Sequence, residues 1–251
     1  MSDWRPSAAI SALQQRAALN RVIRDFFDQR GVLEVETPLL MQAQAAEPHL
    51  INFRIGHYAL QTSPESAMKR LLCAGSGPIY QLCKAFRADE CGRRHNPEFT
   101  MLEWYQPRYS FDELLQETLD LIQTALGQKP VANVVYVDVF EQVTGLNPHQ
   151  CKESALAAYA AEHVDGHFEQ MDRSDWLDLI MSSCVEPTFD ADKLTVVTAF
   201  PACQGALAKL ASDGQGNAVA LRFEVYCGGL ELANGYDEAC EPDYLQQCLA
   251  G

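Results

Sequence analysis

A glycine pair between two strand-like runs constrains the fold more than any other feature of the sequence. Residues 222–227 and 230–234 both have strand-like patterns, and Gly228-Gly229 lies between them. Two strands joined by a two-residue glycine turn pair as an antiparallel hairpin. Elsewhere, strand and helix patterns are mixed without regular βαβ alternation. This order favours an α+β fold with an antiparallel β-sheet flanked by helices over a doubly wound sheet.

The remaining elements follow from local patterns. Apolar residues recur with helical spacing over residues 7–30, where Ser7 is placed to cap a helix and Gly31 to end it. Pro64 is placed at the start of a second helix. The patterns also predict strands over residues 32–36, 79–86 and 99–105, and helices over residues 111–126, 154–162 and 172–183.

Length, charge and cysteine content limit the class of protein. The 251 residues are predicted to form a single domain. A net charge of −15, from 34 acidic and 19 basic residues, argues against a general nucleic-acid binder, which needs Lys and Arg to neutralise phosphates. Nine cysteines without a CxxC pair predict reduced thiols. With no secretory signal and no long apolar run, a cytoplasmic protein without a membrane partner is expected.

Two glutamates of the predicted hairpin form a candidate metal site. Counting from the glycine turn, Tyr226 faces Glu231 and Glu224 faces Ala233. Glu224 and Glu231 are therefore predicted to lie on the same face of the sheet as diagonal neighbours. Two such carboxylates repel each other unless a cation lies between them, and Mg²⁺ with substrate phosphates is suited to that place. The alternative is the solvated face of a sheet edge.

A second group of polar residues lies between the strands predicted at residues 79–86 and 99–105. Arg87 follows the first strand, and an Arg- and His-containing loop leads to Phe99. Arg suits a two-pronged grip on phosphate, and an aromatic ring can stack on a base. The alternative is a hairpin with a charged loop. Alternation places Glu103 and Tyr105 on the face of Phe99, as an anionic floor suited to an ammonium group. No GxGxxG or Walker-type loop is present, so a nucleotide site must be built differently.

Three segments resemble the motifs of class II aminoacyl-tRNA synthetases, in the order that the family has them. The run 31–38 resembles the first motif, and residues 86–103 resemble the second in its lysyl-tRNA synthetase form. Glu231-Leu-Ala-Asn-Gly235 with Glu238 is similar to the lysine-binding stretch of that enzyme. The runs 62–65, 102–107 and 200–204 resemble the shortened lysyl-tRNA synthetase paralogues that attach (R)-β-lysine to elongation factor P. The resemblance implies a class II catalytic domain, homodimeric through the first motif, that uses ATP and Mg²⁺.

The resemblance also implies roles for individual residues. Arg87 is implied to hold the α-phosphate and the acyl carboxylate, and is the implied catalytic residue. The other implied nucleotide contacts are Glu90 to the adenine ring, His95 to the distal phosphates, Asn96 to the adenine edge and Phe99 stacked on the base. Glu224 and Glu231 are implied to bind Mg²⁺. The amino groups of lysine or (R)-β-lysine are implied to bind Glu65, Glu103, Tyr105, Asn234 and Glu238.

The end of the sequence departs from the family pattern, whereas its beginning matches the shortened paralogues. The third class II motif, a glycine-rich strand and helix with a Gly-x-Asp-Arg run, is expected after Gly251 and is not among these residues. Only a helix precedes the first motif, so no anticodon-reading OB-fold and no tRNA partner are expected. Two alternatives to the ligase remain open. One is a catalytic fragment of an ordinary lysyl-tRNA synthetase, and the other is a non-catalytic paralogue that binds an amino acid or adenylate.

Overall fold

The computed structural model describes residues 5–42, 51–88, 92, 95–166, 168 and 171–250, with the side chains of 247–250 not described. The chain forms two compact units, one up to Tyr109 and one from Ser110 to Ala250. Each unit has its own sheet structure and is described by itself. The prediction that residues 1–251 are one catalytic domain stays a prediction.

The described part of the first unit has two helices and two three-stranded sheets. The elements are α1 (Ile10–Asp28), β1 (Leu33–Glu34), β2 (Leu40–Met41), β3 (Arg54–Ile55), β4 (Tyr58–Leu60), α2 (Glu65–Cys73), β5 (Ile79–Phe86) and β6 (Glu98–Tyr105). Strands β1, β5 and β6 form one sheet in that order, with β1 parallel to β5 and β5 antiparallel to β6. Strands β2, β4 and β3 form the other sheet, which is antiparallel throughout.

Helix α1 packs on the β5–β6 pair through an aromatic cluster. The Phe27 ring stacks on Tyr80 with the ring centroids 4.4 Å apart, and it lies 5.6 Å from Trp104. The predicted Ser7 cap is wrong. The helix begins after Ala9, which caps it without a side-chain hydrogen bond, so Ser7 lies two residues before the N-cap. The helix ends as predicted before Gly31, which takes a left-handed φ of +67°.

The second unit is built on a mixed sheet with helices packed on it. Its elements are α3 (Phe111–Leu126), β7 (Val131–Val135), α4 (Tyr136–Thr144), α5 (Glu153–His163), α6 (Arg173–Ile180), β8 (Leu194–Pro201), β9 (Leu210–Ser212), β10 (Ala218–Cys227), β11 (Leu230–Tyr236) and α7 (Pro242–Ala250). The strand order in the sheet is β11-β10-β8-β7, and β9 also pairs with β10. Strand β7 runs parallel to β8, and the other pairs are antiparallel. A π-helical turn, Met181–Val185, continues α6.

Alternating side chains of the sheet in the second unit supply two separate apolar cores. On one face, Val196, Phe223 and Val225 are buried against Leu119 and Ile122 of α3. On the other face, the larger core joins buried sheet residues to α4, α5 and α6; it includes Val197, Phe200, Tyr226, Tyr136, Phe140, Leu156 and Leu177. Alternation along a strand places successive side chains in different layers. The second, larger core lies on the face that carries Glu224.

The structure confirms the predicted α+β class and most of the predicted elements. Strand β5 has the predicted bounds, β6 begins one residue earlier, and α3 has the predicted bounds. The two parallel pairs, β1 with β5 and β7 with β8, were not predicted. No helix in the described part of the chain is long and apolar enough to cross a membrane.

Candidate active site

The first unit carries Arg87 and Phe99 at the loop end of the β5–β6 hairpin. Arg87 follows the last residue of β5, and its backbone N–H donates to the Pro97 carbonyl at 3.0 Å. The Arg87 guanidinium carbon lies 5.2 Å from the centroid of the Phe99 ring, which is within cation–π range. A cation and an aromatic face therefore lie side by side, as binding of a phosphate and a base requires.

The loop between these strands carries the other predicted nucleotide contacts. His95 and Asn96 are exposed, and the His95 carbonyl accepts a hydrogen bond from the Gly92 N–H at 3.0 Å. Both side chains are therefore accessible to a ligand. Glu90, the predicted contact to the adenine ring, lies outside the described residues.

A hydrogen-bonded network joins the predicted amine-binding residues of the first unit. The Ser63 hydroxyl donates to Glu103 Oε2 at 2.6 Å, and the Tyr105 hydroxyl donates to Glu103 Oε1 at 2.8 Å. The Glu65 N–H donates to Ser63 Oγ at 3.0 Å, and the Glu65 carboxylate pairs with Lys69 at 2.6 Å. Ser63 thus links the Glu103 carboxylate to the backbone of Glu65. Ser63 was not among the predicted site residues.

In the second unit a β-bulge corrects the predicted hairpin register. Tyr226 pairs with Glu231 as predicted, but Glu224 pairs with Asn234, so the predicted pairing of Glu224 with Ala233 is wrong. The register shifts between Val225 and Tyr226, and Leu232 and Ala233 both pack against the core that contains Val225. A bulge sets two residues of one strand opposite one residue of its partner. Glu224 and Glu231 therefore lie on one face of the hairpin, as predicted, and Asn234 lies on the same face.

The two glutamates of that face have different surroundings. Glu224 is 6% exposed. One of its carboxylate oxygens pairs with the Arg222 guanidinium, and the other accepts a hydrogen bond from the Tyr226 hydroxyl. Glu231 is exposed. Burial, and then the charges of Glu224 and Glu186, raise the pKa of Tyr226 well above its ordinary value, so its hydroxyl stays a donor. Glu231 also contributes to that rise in pKa, which places its charge near Tyr226.

This donor set fits a particular kind of magnesium site. Among the described residues, no three His, Cys, Asp or Glu side chains come together as a metal site. Mg²⁺ that is bound with a nucleotide needs only one or two carboxylates, because phosphates and water complete its coordination. The same-face pair of Glu224 and Glu231 therefore fits an ion that arrives with phosphates, and Arg222 already compensates the charge of Glu224.

A family profile and curated relatives all match this chain to one family. The family profile described as "tRNA synthetases class II (D, K and N)" matches residues 1–250. The chain belongs to the class II tRNA synthetases. Three curated relatives are each named elongation factor P--(R)-beta-lysine ligase: one from Pasteurella multocida at 44% identity, one from Mannheimia succiniciproducens at 45% and one from Pseudoalteromonas translucida at 46%. The matches cover 94% of this chain and 76%, 75% and 76% of the relatives.

Membership of the class II synthetases confirms the family resemblance, the fold class and the prediction of an ATP-dependent ligase.

The last two predicted residues lie on or after β11. Asn234 Oδ1 accepts a hydrogen bond from Arg222 Nε at 3.2 Å, and Glu238 is half-buried and pairs through its backbone with Ala208. Each unit of this class II chain thus holds its own group of predicted residues.

Three residues of the site were missed from the sequence. Ser63 lies within a run that resembles the paralogues, so the resemblance already indicated its position. Arg222 and Tyr226 lie two residues before and after Glu224, and alternation alone places all three on one face. Alternation could therefore have found both residues, although it could not have shown their hydrogen bonds.

Proposed function

We propose that the protein activates (R)-β-lysine with ATP and transfers the acyl group to a lysine side chain of elongation factor P. The observation that carries the proposal is the network of Glu65, Ser63, Glu103 and Tyr105, because it brings two glutamates together for a substrate with two ammonium groups, and Glu65 already pairs with the ammonium group of Lys69. The names of the relatives support the choice of amino acid and acceptor.

In the proposed first step a carboxylate oxygen of (R)-β-lysine attacks the α-phosphorus of ATP, and pyrophosphate leaves. Arg87 holds the α-phosphate and the acyl carboxylate and compensates the charge that develops between them. Phe99 stacks on the base, and Glu90, His95 and Asn96 contact the adenine and the distal phosphates. Such a displacement needs positioning and charge compensation more than proton transfer.

In the proposed second step the uncharged amine of the acceptor lysine attacks the acyl carbon. The bond from that carbon to the phosphate oxygen breaks, AMP leaves, and the nitrogen loses a proton to give an amide. Glu65, Glu103, Tyr105, Asn234 and Glu238 hold the amino groups of the substrate during both steps. Activation and transfer thus use one bound amino acid.

Glu224 and Glu231 are the proposed residues for Mg²⁺. An ion held by these two residues would supply charge compensation to the phosphates of ATP. The buried Glu224 and the exposed Glu231 share one face of the β10–β11 hairpin, which supports this assignment. Arg222 and Tyr226 keep the Glu224 carboxylate in one orientation.

The proposed setting is a cytoplasmic homodimer that acts on a protein and does not act on tRNA. The seven cysteines whose side chains the structure describes are free thiols, which supports a reducing compartment. Exposed apolar side chains in the first unit support a dimer contact there; they include Ile10, Leu13, Leu33, Leu39 and Leu40. The net charge of −15 supports a protein acceptor over a long nucleic-acid backbone.

ATP–pyrophosphate exchange with (R)-β-lysine tests the activation step. We expect exchange in the full-length protein and its loss in Arg87→Ala, with circular dichroism and melting unchanged because Arg87 lies at the end of a strand. Arg87→Lys, which keeps the charge and loses the planar fork, serves as the matched variant. If Arg87→Ala unfolds, Arg87 is structural. If the unaltered protein binds (R)-β-lysine and shows no exchange, it is a non-catalytic amino-acid-binding paralogue.

A further inference from the structure

The segment Phe200-Pro-Ala-Cys-Gln204 has no role in the proposed reaction, yet both of its end residues contact Arg222 of the hairpin. The Arg222 guanidinium carbon lies 4.6 Å from the centroid of the Phe200 ring. Arg222 Nη1 donates to the Gln204 carbonyl at 2.6 Å. The Phe200 ring therefore packs against the guanidinium group of Arg222, and the Gln204 carbonyl binds one of its nitrogens.

The same guanidinium contacts two residues of the proposed site. Its Nη2 pairs with the Glu224 carboxylate, and its Nε donates to Asn234 Oδ1 at 3.2 Å. Three different nitrogens of Arg222 thus serve three acceptors: Gln204, Glu224 and Asn234. A guanidinium offers five N–H donors in a rigid plane, whereas a lysine ammonium is a compact point charge on a flexible stem.

The ion pair of Arg222 with Glu224 is largely buried. The side chain of Arg222 is 17% exposed and that of Glu224 is 8% exposed, so loss of the cation leaves a carboxylate with little solvent. The other Glu224 oxygen accepts the Tyr226 hydroxyl, which fixes the carboxylate from its second side. The Gln204 side chain donates to Asp178 of α6 at 2.6 Å, which anchors the segment in turn.

The backbone around the segment is unusual as well. Ala199 and Ala206, on either side of it, have φ values of +56° and +46°, a region that non-glycine residues seldom adopt. The β8–β10 register shifts between Ala220 and Phe223, the stretch that contains Arg222. Such conformations cost free energy, and proteins keep them most often where a site depends on them.

We propose that Arg222 is a positioning residue that sets the spacing between Glu224 and Asn234, with Phe200–Gln204 as its support. Glu224 belongs to the proposed magnesium site and Asn234 to the proposed amine site, so one guanidinium couples the two. This inference rests on the proposed function. Arg222 acts through its two neighbours and does not contact the reacting atoms.

Calorimetric binding of (R)-β-lysine to the full-length protein, without ATP or Mg²⁺, tests the coupling separately from activity. We expect Arg222→Lys to melt near the unaltered protein and to bind (R)-β-lysine at least about tenfold more weakly, as loss of a hydrogen bond to a site residue predicts. The Mg²⁺ concentration for half-maximal exchange should rise in the same variant. Arg173→Lys is the matched control, because Arg173 donates to the Cys151 carbonyl at 2.9 Å and to the Pro148 carbonyl. It should leave both quantities unchanged.

A double-mutant cycle identifies the route of the effect. In an Asn234→Ala background, Arg222→Lys should weaken (R)-β-lysine binding much less than it does alone, because its partner is already gone. Unchanged binding and Mg²⁺ dependence in Arg222→Lys would overturn the positioning role while leaving the proposed function in place. Additive losses in the cycle would also overturn it. An unaltered protein that binds no (R)-β-lysine would overturn the proposed function and, with it, this inference.

Discussion

At the scale of single residues, Glu103 in the first unit and Glu224 in the second unit are held by different partners. Glu103 accepts hydrogen bonds from the Ser63 and Tyr105 hydroxyl groups, which orient its carboxylate. Glu224 is paired with the Arg222 cation. In both cases the partners fix the carboxylate in one orientation, as a site that binds a charged ligand requires.

The exposed member of the glutamate pair offers the cleanest test of the metal assignment. We predict that Glu231→Gln lowers ATP–pyrophosphate exchange at least about a hundredfold, a typical loss when one positioned electrostatic group is removed. Its fold should be unaffected, because the side chain is exposed. Glu141→Gln, also exposed, is the control and should retain normal exchange. Near-normal exchange in Glu231→Gln would remove the metal assignment.

At the scale of elements, hydrophobic periodicity predicted the long strands and helices well and the hairpin register only in part. The Gly228-Gly229 turn predicts the pairing next to it, Tyr226 with Glu231. Farther along, simple alternation fails because Leu232 and Ala233 both face the apolar core. A polar–apolar–apolar–polar run in a strand is the signal of such a bulge, and Glu231-Leu-Ala-Asn234 has it.

Other features could not be predicted because they depend on residues far apart in sequence. The parallel pairing of β7 with β8 joins strands separated by three helices. The hydrogen bond from Arg222 to the Gln204 carbonyl depends on the path of a distant segment. Short-range patterns carry no information on such contacts, whereas the family resemblance indicates positions without giving their geometry.

The turn of the hairpin predicts a measurable effect on stability. Gly229 has a φ of +68°, and a Cβ there would lie 2.8 Å from the Glu186 carbonyl oxygen. We expect Gly229→Ala to lower the free energy of unfolding by about 2 kcal/mol, from backbone strain plus the clash. Gly214→Ala, where a Cβ meets nothing within 4 Å, should change it little. Denaturant unfolding measures both, and equal stability of the two variants would contradict this account of the turn.

At the scale of the whole molecule, the proposal of a dimer rests on the apolar surface of the first unit. Leu33 is 55% exposed on β1, and other apolar residues of the same unit are exposed as well. We predict that the full-length protein has twice the mass of its monomer in light scattering, and that Leu33→Glu shifts it toward the monomer because a charge would be buried at the contact. Leu126→Glu, 53% exposed in the second unit, should stay dimeric. A monomeric unaltered protein would contradict the proposal.

Transfer of radiolabelled (R)-β-lysine shows which molecule is the acceptor. An acidic chain of net charge −15 favours a partner with a basic surface around its lysine, and screening weakens such an attraction. With ATP and Mg²⁺, the full-length protein should label elongation factor P and leave total tRNA unlabelled, with transfer slowing as salt rises. Label in ribonuclease-sensitive tRNA would contradict the account and indicate a lysyl-tRNA synthetase fragment. Absence of label in elongation factor P despite active exchange would contradict it as well.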